Sequence, residues 1–451
     1  MVSGQSIHGQ WSSRLTFILA ATGSAVGLGN IWRFPYVAGE NGGGAFVLVY
    51  LLCVLTIGLP IMMAEILVGR RGRRNPMDSI RVLALADGRS PRWQWAGLLG
   101  VLTGTLILSF YAMIGGWTLA YLAEAVRGAF VDITPAAAER MLGDLLADPW
   151  TMLLWHSVFM GLVTAVSVRG VEGGLDRAAQ LLTPGLLLIL LAMVGYGLSN
   201  GDVVRAARFL FAPDFSRLDG AAVLAAMGQA FFSLSLGMGA IMIYGSYLRS
   251  DTSIPGSCLA IVAMDTAVAL VAGLAFFPVV FANGLDPAEG PGLVFVTLPL
   301  ALGQMPFGSG FAVLFFLMLA VAAWTSAISL MEPAVAWLVE RRGLSRPRAG
   351  LIAAGATWAL GIVSILSLNL WSGYTIAGRT AFEALDYLTN NILLPLGGMA
   401  VAIFAGWVLS RAVTANELAA AGPAYGAWRL LVRYVSPVAV GVVLVGKLLS
   451  G

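Results

Sequence analysis

Thr22-Gly23-Ser24-Ala25-Val26-Gly27-Leu28-Gly29-Asn30-Ile31-Trp32-Arg33-Phe34-Pro35 is the stretch that decides the fold. It sits in an apolar run from Leu15 to Val37, long enough to cross a bilayer at about 20 residues per crossing. Its middle nevertheless holds glycines and Asn30, and each glycine costs a helix interior roughly 1 kcal/mol against alanine. A run that is membrane-long yet helix-poor at its centre reads as a broken helix. Unpaired backbone cannot face lipid, so such a break must line a cavity enclosed by protein. There the freed N–H groups that start the second half can hold an anion, and the freed carbonyls that end the first can hold a cation. The alternative reading is that the glycines only let another helix pack closely.

Composition supports a membrane setting. Hydrophobic residues make up 59% of the 451 residues and charged residues 11%, against about 25% charged in a soluble domain. With a mean hydropathy of +0.86, the chain reads as an all-α polytopic membrane protein with the lipid bilayer as its surroundings. A net charge of +3 is too small to suggest nucleic acid as a partner. Cys53 and Cys258 both lie in apolar runs and read as small buried residues, not a disulfide or metal site. His8 and His156 sit at the edges of expected spans and cannot form a cluster. The first 13 residues carry no Lys or Arg and the first apolar run is too long for a cleavable signal. No nucleophile–base pair, metal cluster or phosphate loop points to an enzyme, and no obligate protein partner is evident.

In chain order, Glu40-Asn41-Gly42-Gly43-Gly44 makes a tight turn, and a second span runs from about Ala45 to Val68. An amphipathic piece follows near Pro76–Ala86. Further spans are expected at 95–126, 150–168, 178–199, 221–248, 257–282, 310–339, 349–367, 381–409 and 430–449. Eleven spans put the termini on opposite sides. A cytoplasmic N-terminus places the arginines of 70–92, 169–177 and 341–348, with Arg249 and Arg411, inside. It leaves Arg127, Arg140, Arg205, Arg208 and Arg217 outside. That asymmetry follows the positive-inside rule and implies a multi-pass protein of the inner (plasma) membrane.

The sixth span repeats the oddity of the first. Phe231-Phe232-Ser233-Leu234-Ser235-Leu236-Gly237-Met238-Gly239 sets Gly-Met-Gly in mid-membrane as Gly27-Leu28-Gly29 does. Two interrupted segments five spans apart point to inverted five-helix repeats with a binding site between them. On this reading 1–451 is a single transporter unit, with repeats over 14–200 and 220–410 and an eleventh helix over 427–451.

Ser24 through Pro35, then Glu40-Asn41-Gly42-Gly43-Gly44-Ala45-Phe46, resembles the signature of the neurotransmitter:sodium symporters. Ser233-Leu234-Ser235-Leu236-Gly237 and Thr325-Ser326-Ala327 are similar to its other two motifs. The resemblance covers almost the whole chain and is closest to the bacterial eleven-helix amino-acid transporters. It implies the leucine-transporter fold, coupling to sodium ions at two sites, and alternating access. A sodium-permeable channel or an amino-acid sensor on the same fold is the alternative.

The remaining site assignments are what this resemblance implies. One sodium would take the backbone oxygen of Ala25, the side chains of Asn30, Ser233 and Asp265, and the substrate carboxylate. The second would take backbone oxygens of Gly23, Val26 and Ala322 and the hydroxyls of Thr325 and Ser326. Hard cations prefer such oxygen ligands, although Thr and Ser hydroxyls in membrane helices also bond back to their own helix. Asp265 is the only charge between Cys258 and Ala282. It would supply the negative charge that chloride supplies in chloride-dependent carriers, so transport is expected to be chloride-independent. A proton taken up when sodium leaves is a second role open to it.

The substrate carboxylate would meet the N–H groups near Leu28 and Gly29 and the hydroxyl of Tyr111. The ammonium would meet carbonyls of Ala25 and Phe232 and the Ser326 hydroxyl. Ser24, Ile107, Phe232, Ser235, Met238, Ser326 and Leu330 would surround the side chain. None is charged, so a neutral, hydrophobic amino acid, aliphatic or aromatic, is implied. Met238 stands where the leucine transporter has an aromatic residue, and methionine adapts its shape. Arg33 and Asp386 resemble the outer-gate pair, with Tyr111 and Phe232 as the lid beneath. Trp11 matches the tryptophan before the first span, but His8 stands where a basic residue is expected, with Glu340 as its candidate partner. Gly174 and Pro184 resemble the pair that loosens the fifth span. Glu65 and Glu332 also lie in spans, with no role assigned.

Overall fold

Lipid offers no hydrogen-bond partner, so an apolar chain satisfies its backbone within helices. The computed structural model describes residues 6–285, 292–419 and 422–450. Among them every regular element is helical, apart from an isolated bridge between Ile376 and Arg379. Residues 1–5, 286–291, 420–421 and 451 of the expected transporter unit lie outside the described residues.

Among the described residues, nine continuous helices are long and apolar enough to cross a membrane: Gly44–Gly72, Pro91–Val126, Pro149–Ser167, Val171–Asn200, Ile254–Ala282, Gly308–Arg342, Arg346–Ser367, Ala381–Val408 and Gly422–Gly446. Two further crossings are interrupted. Arg14–Ala25 and Gly29–Glu40 meet at a bend of 53°. Gly220–Ser233 and Ala240–Ser246 flank an unwound stretch over 234–239. Counted with these as first and sixth, the crossings are the eleven expected, and both breaks fall on the glycine-rich centres. The fifth span starts at Val171 rather than 178, because Glu172, Asp176 and Arg177 on its first turns hide it from hydropathy. The eleventh starts at Gly422 rather than 430 for a similar reason: Gly422–Leu430 is amphipathic and carries Arg429.

The amphipathic helix Pro76–Ala86 forms as expected, with the Asn75 side chain accepting from the Asp78 N–H. The connections also hold four helices too short to cross a membrane: Pro135–Ala147, Val203–Phe211, Leu293–Gly303, which is apolar, and Arg411–Leu418. Thr134, Asp202 and Ser410 cap three of them through side-chain oxygens, the usual way to satisfy the first free N–H groups. Leu293–Gly303 is fixed by Phe295, whose ring lies 5.0 Å from that of Tyr121 and 5.8 Å from that of Trp117 on the third span.

Close backbone approach positions the sixth-span break. Gly237 has φ +79°, which an L side chain rarely adopts, and a Cβ there would fall on the Leu394 carbonyl oxygen of the tenth span. A Cβ on Gly397 would in turn fall on the Gly237 carbonyl. A Cβ on Gly104 of the third span would sit 3.0 Å from the Met238 carbonyl. Glycine at these positions is what lets the third and tenth spans reach the unwound chain.

Candidate functional site

The first half-helix ends at Ala25, where Val26 N–H still reaches the Thr22 carbonyl at 2.6 Å and Gly27 N–H folds back on Ala25 O at 2.9 Å. Residues 29–33 then form a wider turn. The two breaks lie against each other. The Ser235 hydroxyl donates to the Ser24 carbonyl at 3.0 Å, and Gln229 Nε2 donates to the Gly29 carbonyl at 2.8 Å. Gly29 faces Phe232, whose ring would stand 2.9 Å from a Cβ placed there. Glu65, wholly buried on the second span, accepts from the Gly237 N–H at 2.7 Å. It therefore holds a donor that the unwinding frees. Its signal in the sequence is a lone acid in an apolar run, with no neighbour to say what it meets.

Asn30, Ser233 and Asp265 come together as one buried cluster. Asn30 Nδ2 donates to the Asp265 carbonyl at 2.9 Å and to its Oδ1 at 2.8 Å. The Ser233 hydroxyl is 3.2 Å from Asp265 Oδ2 and 3.1 Å from the Tyr50 hydroxyl. The remaining oxygen, Asn30 Oδ1, is buried with no hydrogen-bond partner. An unsatisfied buried oxygen beside a carboxylate is costly unless a cation completes it. The cluster thus has the oxygen set and the negative charge that suit a sodium ion.

The second group is also assembled. Gly23 on the first half-helix and Thr325 on the eighth span face each other, with 3.5 Å between the Thr325 Cβ and the Cβ position of Gly23. The Ser326 hydroxyl reaches across to the carbonyls of Ser24 at 3.0 Å and Gly23 at 3.5 Å. Thr325 instead bonds back within its own helix, to Ala322 O at 3.0 Å and Val321 O at 3.2 Å. The two hydroxyls therefore split between the crossing and back-bonding readings. Val26 is buried one turn beyond Thr22, at the end of the half-helix.

One small cavity between the breaks is lined by Ser24, Ala25, Gly27, Gly29, Ile107, Tyr111, Phe232, Ser235, Met238, Ser326 and Leu330. Leu28, of the expected substrate residues, lines the next cavity, and its N–H donates to the Tyr111 hydroxyl at 3.3 Å. Gly27 is the addition. A Cβ there would meet the Ser326 hydroxyl and stand 2.8 Å from the Tyr111 hydroxyl. No Asp, Glu, Lys, Arg or His side chain lines this cavity.

A second cavity of about 210 Å³ lies beyond Phe232 and Tyr111, with Arg33 and Asp386 in its wall. These two residues share it without forming an ion pair. The Arg33 guanidinium stacks on the Phe232 ring at 4.6 Å, and Asp386 Oδ1 accepts from Asn390 Nδ2 at 2.6 Å. The opposite end of the site is plugged. Trp11 is buried and its indole N–H donates to Tyr244 O at 2.9 Å. His8 Nε2 lies 2.9 Å from Glu340 Oε1, which also accepts from the Asn75 N–H at 2.7 Å. Nearby, buried Glu332 binds Arg346 at 2.6 and 3.0 Å and the Tyr247 hydroxyl at 2.5 Å. Arg346 is thus the basic partner of a buried acid, a role that Arg33, stacked on Phe232, does not fill for Asp386. Its place at a helix start next to a proline, in an arginine-rich loop, conceals it in the sequence.

Residues 8–131 and 140–450 match the profile of the sodium:neurotransmitter symporter family. The chain belongs to that family. The symporter is 36% identical over 440 residues to the sodium-dependent transporter YhdH of Bacillus subtilis, with 96% of each chain covered. A sodium-dependent transporter of Haemophilus influenzae is 34% identical over 406 residues, covering 88% of the symporter and 89% of the relative. The crystal structure of MhsT in complex with L-phenylalanine superposes with a TM-score of 0.90 at 41% identity, covering 97% of the symporter and 99% of that chain. The symporter is thus a sodium-coupled, multi-pass membrane carrier with the leucine-transporter fold, and not an enzyme.

Proposed function

We propose that this symporter imports neutral, hydrophobic L-amino acids with sodium, by alternating access between a mouth at Arg33 and Asp386 and an exit at Trp11. The carrying observation is the cavity between the breaks: no charged residue lines it, yet its wall includes Gly27 and Gly29 of the first break, Ser235 and Met238 of the sixth-span break, and the hydroxyl-bearing Tyr111 and Ser326. Backbone N–H and carbonyl groups suit the two charges of a zwitterion, while Ile107, Met238 and Leu330 suit an apolar side chain. An acidic or basic side chain would be buried there unpaired. MhsT, similar over nearly the whole chain, is solved with L-phenylalanine, which favours including aromatic substrates.

In this reading Asn30, Ser233 and Asp265, with the Ala25 carbonyl, hold one sodium next to the substrate carboxylate. Gly23, Val26, Ala322, Thr325 and Ser326 hold the other. The carboxylate of Asp265 stands where an anion is needed, so transport proceeds without chloride. The residues 14–200 and 220–410 act as the two inverted repeats, and the arginine distribution sets the N-terminus in the cytoplasm of an inner-membrane protein. The test is uptake into proteoliposomes of radiolabelled phenylalanine or leucine against a panel of twenty amino acids, with inward gradients of sodium or potassium. Saturable, sodium-driven accumulation competed by apolar amino acids supports the reading. Sodium current without accumulation would favour a channel, and binding without flux a sensor.

A further inference from the structure

Charge is unbalanced where the tenth and eleventh spans meet. From Leu388 to Gly451 the chain carries a single acid, Glu417, against Arg411, Arg429, Arg433 and Lys447. Glu417 is already engaged by Arg70 at 2.6 Å and Arg71 at 3.6 Å. Among the described residues, none of the three arginines pairs with a carboxylate. Aromatic rings and hydroxyls hold them instead. The Arg433 guanidinium lies 3.8 Å over the Trp407 ring and 5.5 Å from that of Tyr434. Trp407 Nε1 in turn donates to the Arg433 carbonyl at 2.8 Å. Arg429 Nη1 donates to the Tyr425 hydroxyl at 2.9 Å and to Thr414 Oγ1 at 3.1 Å. The Arg411 guanidinium lies 5.5 Å over the same Tyr425 ring.

This corner lies at the edge of the membrane. Trp407 is the last residue but one of the tenth span, and a Cβ on its neighbour Gly406 would stand 3.0 Å from Arg433 Cα. Arg433 is therefore level with the end of the tenth span. Tyr425, Arg429 and Arg433 follow at i, i+4 and i+8, so they share one helix face. Trp407 is 47% and Tyr434 49% exposed, as aromatic residues are where headgroups meet hydrocarbon. Leu430, Tyr434, Val438 and Val442 are exposed at steps of four, an apolar stripe that runs from this level into the membrane. Arg433 Nε is buried without an acceptor, a cost that grows at the edge of lipid. The side chain as a whole is half-buried, so an acceptor can still reach the guanidinium from outside.

We propose that Arg411, Arg429 and Arg433, with Trp407 and Tyr434, bind the phosphate of an anionic phospholipid in the cytoplasmic leaflet. A guanidinium gives phosphate two parallel N–H bonds, and basic pockets between spans suit such headgroups. Three cations with no acid among them call for an anion; a zwitterionic headgroup would bring a further cation. The acyl chain lies along the stripe from Leu430 to Val442, which makes the ligand a lipid and not free phosphate. Trp407 fixes Arg433 at both its guanidinium and its carbonyl, so the site is held in place before a lipid arrives. The inference does not depend on what the symporter carries. Only the choice of leaflet rests on the cytoplasmic placement of the N-terminus.

The test is native mass spectrometry of the full-length protein released from detergent micelles, titrated with phosphatidylglycerol or phosphatidylcholine, alongside its melting midpoint with the same lipids. Wild type is expected to retain phosphatidylglycerol at least about tenfold more tightly than phosphatidylcholine. Arg433→Gln lowers that preference about fivefold, and Arg433→Lys, which keeps the charge but not the planar fork, falls between the two. Arg249→Gln removes an exposed arginine on the same side of the membrane, paired with Asp251 at 3.3 Å, and leaves the preference unchanged. The site is overturned if Arg433→Gln prefers phosphatidylglycerol as wild type does. It is also overturned if Arg249→Gln loses as much, since the pull is then that of positive charge in general. Inorganic phosphate that raises the melting midpoint as far as phosphatidylglycerol overturns the lipid as ligand. If Arg433→Gln does not fold, an unchanged preference in Arg411→Gln, at an exposed side chain, overturns the site. Micelles offer lipid to both ends of the protein, so these outcomes do not depend on topology, and their failure leaves the transport reading untouched.

Discussion

Asp265→Asn removes one charge while keeping the shape of the site. Asp265 is wholly buried, and its two carboxylate oxygens already face Asn30 Nδ2 at 2.8 Å and the Ser233 hydroxyl at 3.2 Å. A sodium ion bound among these groups would lie roughly 4 Å from the centre of charge, where a unit pair is worth about 4 kcal/mol at an effective dielectric of 20. The asparagine oxygen remains a ligand, and a charge-assisted contact is about twice as strong as a neutral one. About 2 kcal/mol should therefore be lost, a rise of about thirtyfold in the sodium concentration for half-saturation. The assay is the thermal midpoint of the purified protein titrated with sodium, since a ligand that binds only the folded state stabilises by mass action. In sodium-free buffer the variant should be no less stable than wild type, because no unneutralised charge is buried. Chloride should raise sodium binding in the variant and leave wild type unaffected. Half-saturation within threefold of wild type, or equal loss of stability with and without sodium, would refute the reasoning.

Gly237→Ala combines a left-handed backbone with a clash against Leu394 O; it should lower stability by about 2–5 kcal/mol, seen in thermal denaturation. Met238→Phe should narrow the range of competing amino acids toward smaller side chains, since Met238 lines the cavity and an aromatic ring adapts less than methionine; an unchanged competition panel would count against its role. Arg346→Met strands the buried Glu332 carboxylate and should cost about 3–5 kcal/mol. Adding Glu332→Gln should recover much of that loss in the same melting assay. Replacing chloride with gluconate should leave wild-type uptake unchanged.

The architecture was readable where chemistry is local. Gly27-Leu28-Gly29 and Gly237-Met238-Gly239 marked both breaks, because paired glycines weaken a helix at the depth where lipid offers its backbone no substitute partner. Asn30, Ser233 and Asp265, over 200 residues apart in part, required the family signature to be grouped, and the fold does bring them together. What escaped was non-local pairing. Glu65 has no sequence neighbour that announces the Gly237 N–H, and Glu332 and Arg346 look like strangers until a helix turn sets them side by side. Charged first turns concealed the true start of the fifth span. Arg33 and Asp386 share the outer cavity without an ion pair, and pattern alone fixes the residues but not the distance.

Where Gly237 meets Gly397, main chain rests on main chain with no side chain between. Such a junction has no compliant padding: rotamers cannot absorb a shift, so displacement on one face is handed to the other. Asp386 rides on the same rod as Gly397, about 16 Å along it. Tilting that rod to shut the entrance would therefore drag the floor of the chamber with it, making admission and reshaping a single stroke.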